Sequence, residues 1–136
     1  VKAVRYYMDP RNFLDERCIF QFELLKYRSD VQTQTGVENV LRNTPMYNTN
    51  FTYTNNAGKN VSIKYSKAFM EAAAASKVSP YHLASRVKQE VVISSTMMSS
   101  SVSGNVAGYK GIYNFYNIGA NSGANAVKNG LKINRS

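Results

Sequence analysis

Apolar and polar positions alternate along this chain in several rhythms, and the clearest is helical. Leu83, Val87 and Val91 recur every fourth residue, which places them on one face of a helix. Ser79 is suited to cap that helix and Pro80 to occupy its first turn. The pattern therefore predicts a helix over 79–91. Just before it, residues 66–76 carry alanine at 68 and 72–75, the strongest helical propensity in the chain. Phe69, Ala72, Ala73 and Ser76 are expected to share one face of that helix. Only Lys77 and Val78 separate the two, so they should form a tight helical hairpin or corner. A shorter helix is predicted over 36–42, capped by Thr35, with Val37, Val40 and Leu41 on one side and a stop at Asn43-Thr44-Pro45.

The other segments are less regular. Residues 1–8 alternate weakly and suggest an extended lead-in. Asp9-Pro10 should open a helix running to Leu14. Ile19, Phe20, Phe22, Leu24 and Leu25 form a dense apolar cluster expected to anchor this part to the core. Residues 47–62 are rich in Asn and Thr around an Asn55-Asn56-Ala57-Gly58 turn signal, which suits a loop or a poor hairpin. The Ser/Gly-rich stretch 94–111 is expected to be a flexible loop or short β-hairpin walling a cleft. Residues 112–120 are ambiguous between strand and short helix. The tail, 121–136, is small, polar and basic, with turn signals at Gly123 and at Asn129-Gly130. The expectation is one domain, 1–136, mainly α (α+β), with an N-terminal lobe over 1–65 and a helical lobe over 66–136.

Charge and composition narrow the function classes. The net charge of +9 suits an anionic setting, whether nucleic acid, an acidic membrane surface or an anionic wall polymer. Ten Tyr alongside abundant Asn and Ser suit polar, ring-shaped ligands. Cys18 is the only cysteine, so neither an internal disulfide nor a thiolate metal framework can form; a buried apolar role is expected for it. No apolar run is long enough to span a membrane. His82 is the only histidine, and no metal site is expected.

One carboxylate stands out. After Glu71, Glu90 is the only acid in the rest of the chain. It falls at the edge of the apolar stripe of helix 79–91, near the negative end of the helix dipole. Both surroundings disfavour a charged carboxylate, which suits a proton donor. Glycoside hydrolysis needs such an acid beside the scissile oxygen, together with aromatic and amide groups that hold the sugar. Tyr113, Asn114, Tyr116 and Asn117 are candidates for that wall. A different reading treats the two helices as a helix-turn-helix, with Tyr81, His82, Ser85, Arg86 and Lys88 facing nucleic acid. That reading leaves residues 112–120 without a role.

Ser79-Pro80-Tyr81-His82-Leu83-Ala84-Ser85-Arg86-Val87-Lys88-Gln89-Glu90, followed by Tyr113-Asn114-Phe115-Tyr116-Asn117-Ile118-Gly119-Ala120, resembles the bacterial glucosaminidases of glycoside hydrolase family seventy-three. The likeness is to the clostridial autolysin branch, and Met8-Asp9-Pro10-Arg11-Asn12-Phe13-Leu14 and Ile19-Phe20-Gln21-Phe22-Glu23 share it. The resemblance implies a lysozyme-like, two-lobed helical fold and an endo-β-N-acetylglucosaminidase that cuts peptidoglycan after N-acetylglucosamine. It implies Glu90 as the catalytic acid and Tyr113 as a residue positioning the sugar or the attacking group. Asn114, Tyr116 and Asn117 would line the cleft. The expected partners are glycan strands and, by charge, anionic wall polymers; the expected setting is secreted and wall-associated, as a monomer without cofactor or nucleic acid.

Two departures from the family pattern matter. Relatives often carry an acid in the loop after the catalytic Glu, where this chain has Lys110 and no acid at all over 91–136. A two-carboxylate mechanism needs its second group ~5–9 Å away. Here Glu71 or Glu38 would have to provide it, or the sugar's own acetamido group would attack. Relatives also continue with further helix after a stretch like Asn129-Gly130-Leu131, which raises the expectation that one cleft wall is missing. A wall-glycan-binding module that does not cut is the alternative.

Overall fold

The computed structural model describes residues 2–12, 24–55, 57–121 and 123–135. Its centre is a packed trio of helices, α2 (Gln34–Val40), α3 (Tyr65–Ser76) and α4 (Pro80–Val91), each in contact with the other two. Their inward faces supply most of the core: Val37 and Leu41, then Tyr65 and Phe69, then Ala84, Val87 and Val91, joined by Met46 and Val102. Two small antiparallel sheets accompany the helices, so the fold mixes helix with short hairpins.

Local chemistry sets the element ends. The Ser79 hydroxyl accepts from the His82 amide, and Pro80 opens α4 as expected. The helix over 66–76 is present one residue longer, and its buried face is Tyr65, Ser66, Phe69 and Ala73. Ala72 and Ser76, expected on that face, are exposed, because the contact stripe follows i, i+4, i+8 from Tyr65. The α3–α4 connection turns at Lys77, which adopts a left-handed backbone (φ 63°) and donates to the Ala73 carbonyl at 2.8 Å. Residues 25–27 clasp this corner. Ser79 N donates to Leu25 O at 2.7 Å, and Tyr27 N to Lys77 O at 2.9 Å.

The second helix is capped by Thr33 rather than Thr35. The Thr33 hydroxyl reaches the Gly36 amide at 3.1 Å, so α2 starts two residues early. Its far end is closed by another element: the Lys88 ammonium donates to the carbonyls of Val40 at 2.9 Å and Arg42 at 3.1 Å. A cation there satisfies orphan carbonyls and meets the negative end of the helix dipole.

The Asn/Thr-rich segment is a regular hairpin. Strands β1 (Asn50–Thr54) and β2 (Asn60–Lys64) pair antiparallel, with Phe51 opposite Ile63 and Tyr53 opposite Val61. Asn55 organises the turn by accepting from the amides of Ala57 and Lys59, both at 3.0 Å. Past α4 the chain forms a second, minimal hairpin, β3 (Val92–Ser94) with β4 (Met97–Met98), then a single 3-10 turn over Ser100–Val102. Residues 112–120 are neither strand nor helix but a series of turns.

Three expectations fail. Residues 2–8 are helical (α1, Lys2–Met8) rather than extended: among the described residues no strand lies alongside to complete a sheet ladder, whereas a helix satisfies its own backbone. Leu24 and Leu25 do not anchor the core; they are 59 % and 63 % exposed, and it is the Leu25 backbone that binds the α3–α4 corner. The rest of that cluster, Cys18, and the helix expected beyond Asn12 lie outside the described residues; Pro10–Asn12 is a 3-10 turn. The tail is a helix, α5 (Ala126–Arg135), which runs through Asn129-Gly130 and packs against the Ser100–Val102 turn. Gly130 there permits close approach rather than a turn: a Cβ would lie 2.5 Å from Asn114 Nδ2. No helix among the described residues is long and apolar enough to cross a membrane.

Candidate active site

Glu90 sits on the last turn of α4, beside Val87 on the helix surface. Its side chain is 30 % exposed, and Oε1 accepts from Arg86 Nη2 at 3.0 Å. The Arg86 side chain is itself 50 % exposed. A pair this open is worth about 0–1 kcal/mol, so a ligand can displace the guanidinium at little cost. Arg86, four residues before Glu90, is a partner that the i, i+4 spacing signals but that sequence reasoning assigned only to nucleic acid.

The backbone of Glu90 is tied to the second motif. Asn117, held at a positive φ of 49°, donates its side-chain amide to the Glu90 carbonyl. Its other end accepts from Ser101 Oγ at 3.4 Å. The two sequence blocks that define the candidate site are thus in direct contact. Asn114 has a different place from the one expected. It is 1 % exposed, its Nδ2 donates to Ile118 O at 2.9 Å and its Oδ1 accepts from Ile118 N at 3.1 Å. Its side chain faces the interior and braces the turn that presents Asn117; a buried amide with both ends satisfied does not line a cleft.

The two tyrosines line hollows. Tyr116 is 38 % exposed and borders a hollow of about 480 Å³, together with Val87, Phe115, Phe51, Tyr65 and α3 residues Ala68, Phe69 and Ala72. A neighbouring hollow of about 770 Å³ shares Phe51, Ala68 and Ala72, and adds Tyr53, Ile63, Glu71, Ala75 and Tyr113. A third, of about 900 Å³, shares Tyr53 and Tyr113 and reaches the hairpin turn and Gly111. Because neighbours share walls, the three form one groove. The small side chains of α3 border it, the β1–β2 hairpin makes one bank and residues 111–116 the other. Glu90 is not among the residues lining these hollows; it lies next to Val87, which is.

Stacked rings stiffen the banks. Phe51 lies over Tyr65 with centroids 4.9 Å apart and over Tyr53 at 5.5 Å, and meets the edge of Phe115 at 6.2 Å. Phe115 stacks with Tyr113 at 6.1 Å. Tyr113 also lies over Gly104, where a Cβ would fall 2.6 Å from its ring. Burial pushes the Tyr65 hydroxyl above its ordinary pKa, with nearby Tyr113 adding to it, and burial does the same to Tyr116. Phe51 and Tyr53 were missed as groove residues. Their signal was the period-2 alternation over 50–54, which stands out only once Val61 and Ile63 supply the facing strand.

The two candidate partner carboxylates separate. Glu38 is engaged structurally, accepting from Ser66 Oγ at 2.6 Å and from Asn48 N at 2.9 Å. Glu71 lines the groove opposite Tyr113 and Tyr53, is 61 % exposed, and has only a 4.0 Å approach to Lys67. Among the described residues no group of three or more His, Cys, Asp or Glu is placed to hold a metal. Lys88, expected to face nucleic acid in a helix-turn-helix, is directed at α2 instead. The arrangement puts the Glu71 carboxyl on an aromatic-walled groove and Glu90 one helical turn from its Val87 wall, which suits acid chemistry on a ligand with ring faces and hydroxyls. Comparison with family models, curated proteins and solved structures finds no match to this chain.

Proposed function

We propose that this chain is a peptidoglycan hydrolase of the endo-β-N-acetylglucosaminidase type, cutting the β-1,4 bond after N-acetylglucosamine with Glu90 as proton donor. One observation carries the reading: Asn117 of the second motif binds the Glu90 carbonyl, so the two sequence blocks that resemble the glucosaminidases are in contact. The groove next to it supports a glycan ligand, since sugar rings present C–H faces to aromatic rings and hydroxyls to water and amides. In this proposal Tyr113 and Tyr116 hold the sugar, Asn117 fixes the end of α4, and Asn114 fixes Asn117. The second catalytic group is the substrate's acetamido oxygen, a route used where a second carboxylate is lacking; Glu71 is the protein's own alternative. The lysozyme-like fold, secretion and wall association belong to the same proposal.

Dye release from labelled cell walls by wild type and Glu90→Gln tests it. Loss of a general acid should lower release by about 10²–10⁴-fold. Equal release by both removes Glu90 from the chemistry. Reducing-end analysis should find N-acetylglucosamine; an N-acetylmuramic acid end contradicts the bond assignment. A second reading, a glycan-binding module without hydrolysis, is favoured by Glu90 not lining the three hollows that make up the groove. Its signature is no release by either form, with both still pelleting on walls.

A further inference from the structure

Most acids among the described residues are committed to a cation close by in sequence. Among the described residues Asp9 pairs with Arg11, Asp30 with Arg28, Glu71 with Lys67 and Glu90 with Arg86, each within four positions in sequence. Glu38 serves Ser66 and Asn48. The surplus positive charge therefore lies elsewhere, and residues 91–136 hold Lys110, Lys128, Lys132 and Arg135 with no acid.

Three of those four are on α5. Lys128, Lys132 and Arg135 are exposed and recur at i, i+4 and i+7, so they form one strip along the helix, spaced by rises of about 6 Å and about 4.5 Å. None has a side-chain hydrogen-bond or ion-pair partner among the described residues. The helix is docked by the buried Gly130, across from the strip, and by the buried Leu131, which borders it three residues after Lys128 and four before Arg135, so the strip is held along the edge of the docked face. Helix stability accounts for Lys132 and Arg135, which sit in the last turn. It does not account for Lys128, near the positive end of the dipole, where a cation is unfavourable.

We infer that this strip of α5 binds a linear phosphodiester polymer of the bacterial wall, of the poly(glycerol phosphate) type. Charge complementarity selects a polyanion. The strip is flanked by Asn125 and Asn129 and presents no aromatic ring on which bases would stack, which favours a polyol phosphate over single-stranded nucleic acid. The choice of a wall polymer rests on the proposed function; the strip itself does not.

The test is binding of labelled poly(glycerol phosphate) to the full chain between 50 and 200 mM salt. Lys128→Gln/Lys132→Gln/Arg135→Gln should weaken binding about tenfold or more at low salt and make the log–log salt slope shallower by about 2, as for three released counterions on a flexible polyanion. Lys26→Gln/Arg42→Gln/Lys77→Gln removes equal charge elsewhere and should retain most of the affinity. Equal losses in the two triple variants refute the strip, and so does tighter binding of duplex DNA that depends on α5. Dye release from glycan stripped of phosphate polymer should be unchanged in the α5 variant. No release by wild type refutes the hydrolase, whereas polymer binding indifferent to α5 refutes the strip alone.

Discussion

Replacing Gly130 by alanine tests how the C-terminal helix controls the site. In an open helix interior this change stabilises by ~1 kcal/mol, because alanine is the better helix former. At position 130 the added Cβ would lie 2.5 Å from Asn114 Nδ2, 3.0 Å from the Ile118 carbonyl oxygen and 3.4 Å from Ala120 Cβ. The first contact is prohibitive and the second tight, so α5 must lift or the Asn114 amide must move. Asn114 is held by two bonds to Ile118 and is 1 % exposed. Overpacking costs about 1–3 kcal/mol, and disturbing the buried amide adds about 1–2 kcal/mol. Set against the propensity gain, the net loss is about 1–4 kcal/mol, a fall in Tm of roughly 3–20 °C for a chain of this size. Thermal unfolding followed by circular dichroism measures it. In an Asn114→Ala background, where the obstructing amide is gone, the same change should be milder by about 1 kcal/mol or more. A rise in Tm on Gly130→Ala, or an equal cost in both backgrounds, refutes the docking of α5 on this turn.

Asn117→Gly keeps the positive φ but removes the amide that binds the Glu90 carbonyl; stability should fall by about 1 kcal/mol and dye release by about 10–100-fold through misplacement of the acid, and unchanged release would show that Asn117 does not position Glu90. Tyr65 has a folded pKa above its ordinary 10.0, chiefly through burial. Its stabilising contribution is therefore complete below about pH 10 and is lost as pH rises through the folded value, so Tyr65→Phe should flatten part of the alkaline decline in urea midpoint, with Tyr116 leaving a residue; superimposable profiles would refute this. Lys77→Gly relieves a side chain from the left-handed region at φ 63° and should raise stability by about 0.5–1 kcal/mol, seen as a higher urea midpoint at constant slope; a lower midpoint would show that the Lys77 side chain contributes a contact.

Elements whose causes are local were legible in the chain. Ser79 and Pro80 start α4, the alanines carry α3, and the four-residue recurrence of Leu83, Val87 and Val91 marks the buried face, because capping, propensity and periodicity act within a few residues of where they are read. The pairing of the Glu90 and Tyr113 blocks was legible as two motifs but not as a contact. Groups that depend on distant partners were decided by tertiary structure. Phe51 and Tyr53 became a groove bank only when Val61 and Ile63 paired with them. Asn114 became a brace because α5 presses Gly130 against it, and Glu38 became a strut because Ser66 and Asn48 come within reach of its carboxylate. Amides and carboxylates carry no mark of whether they will face a ligand or satisfy a neighbour; the partner that arrives from another part of the chain decides, and its approach is a property of packing rather than of spacing.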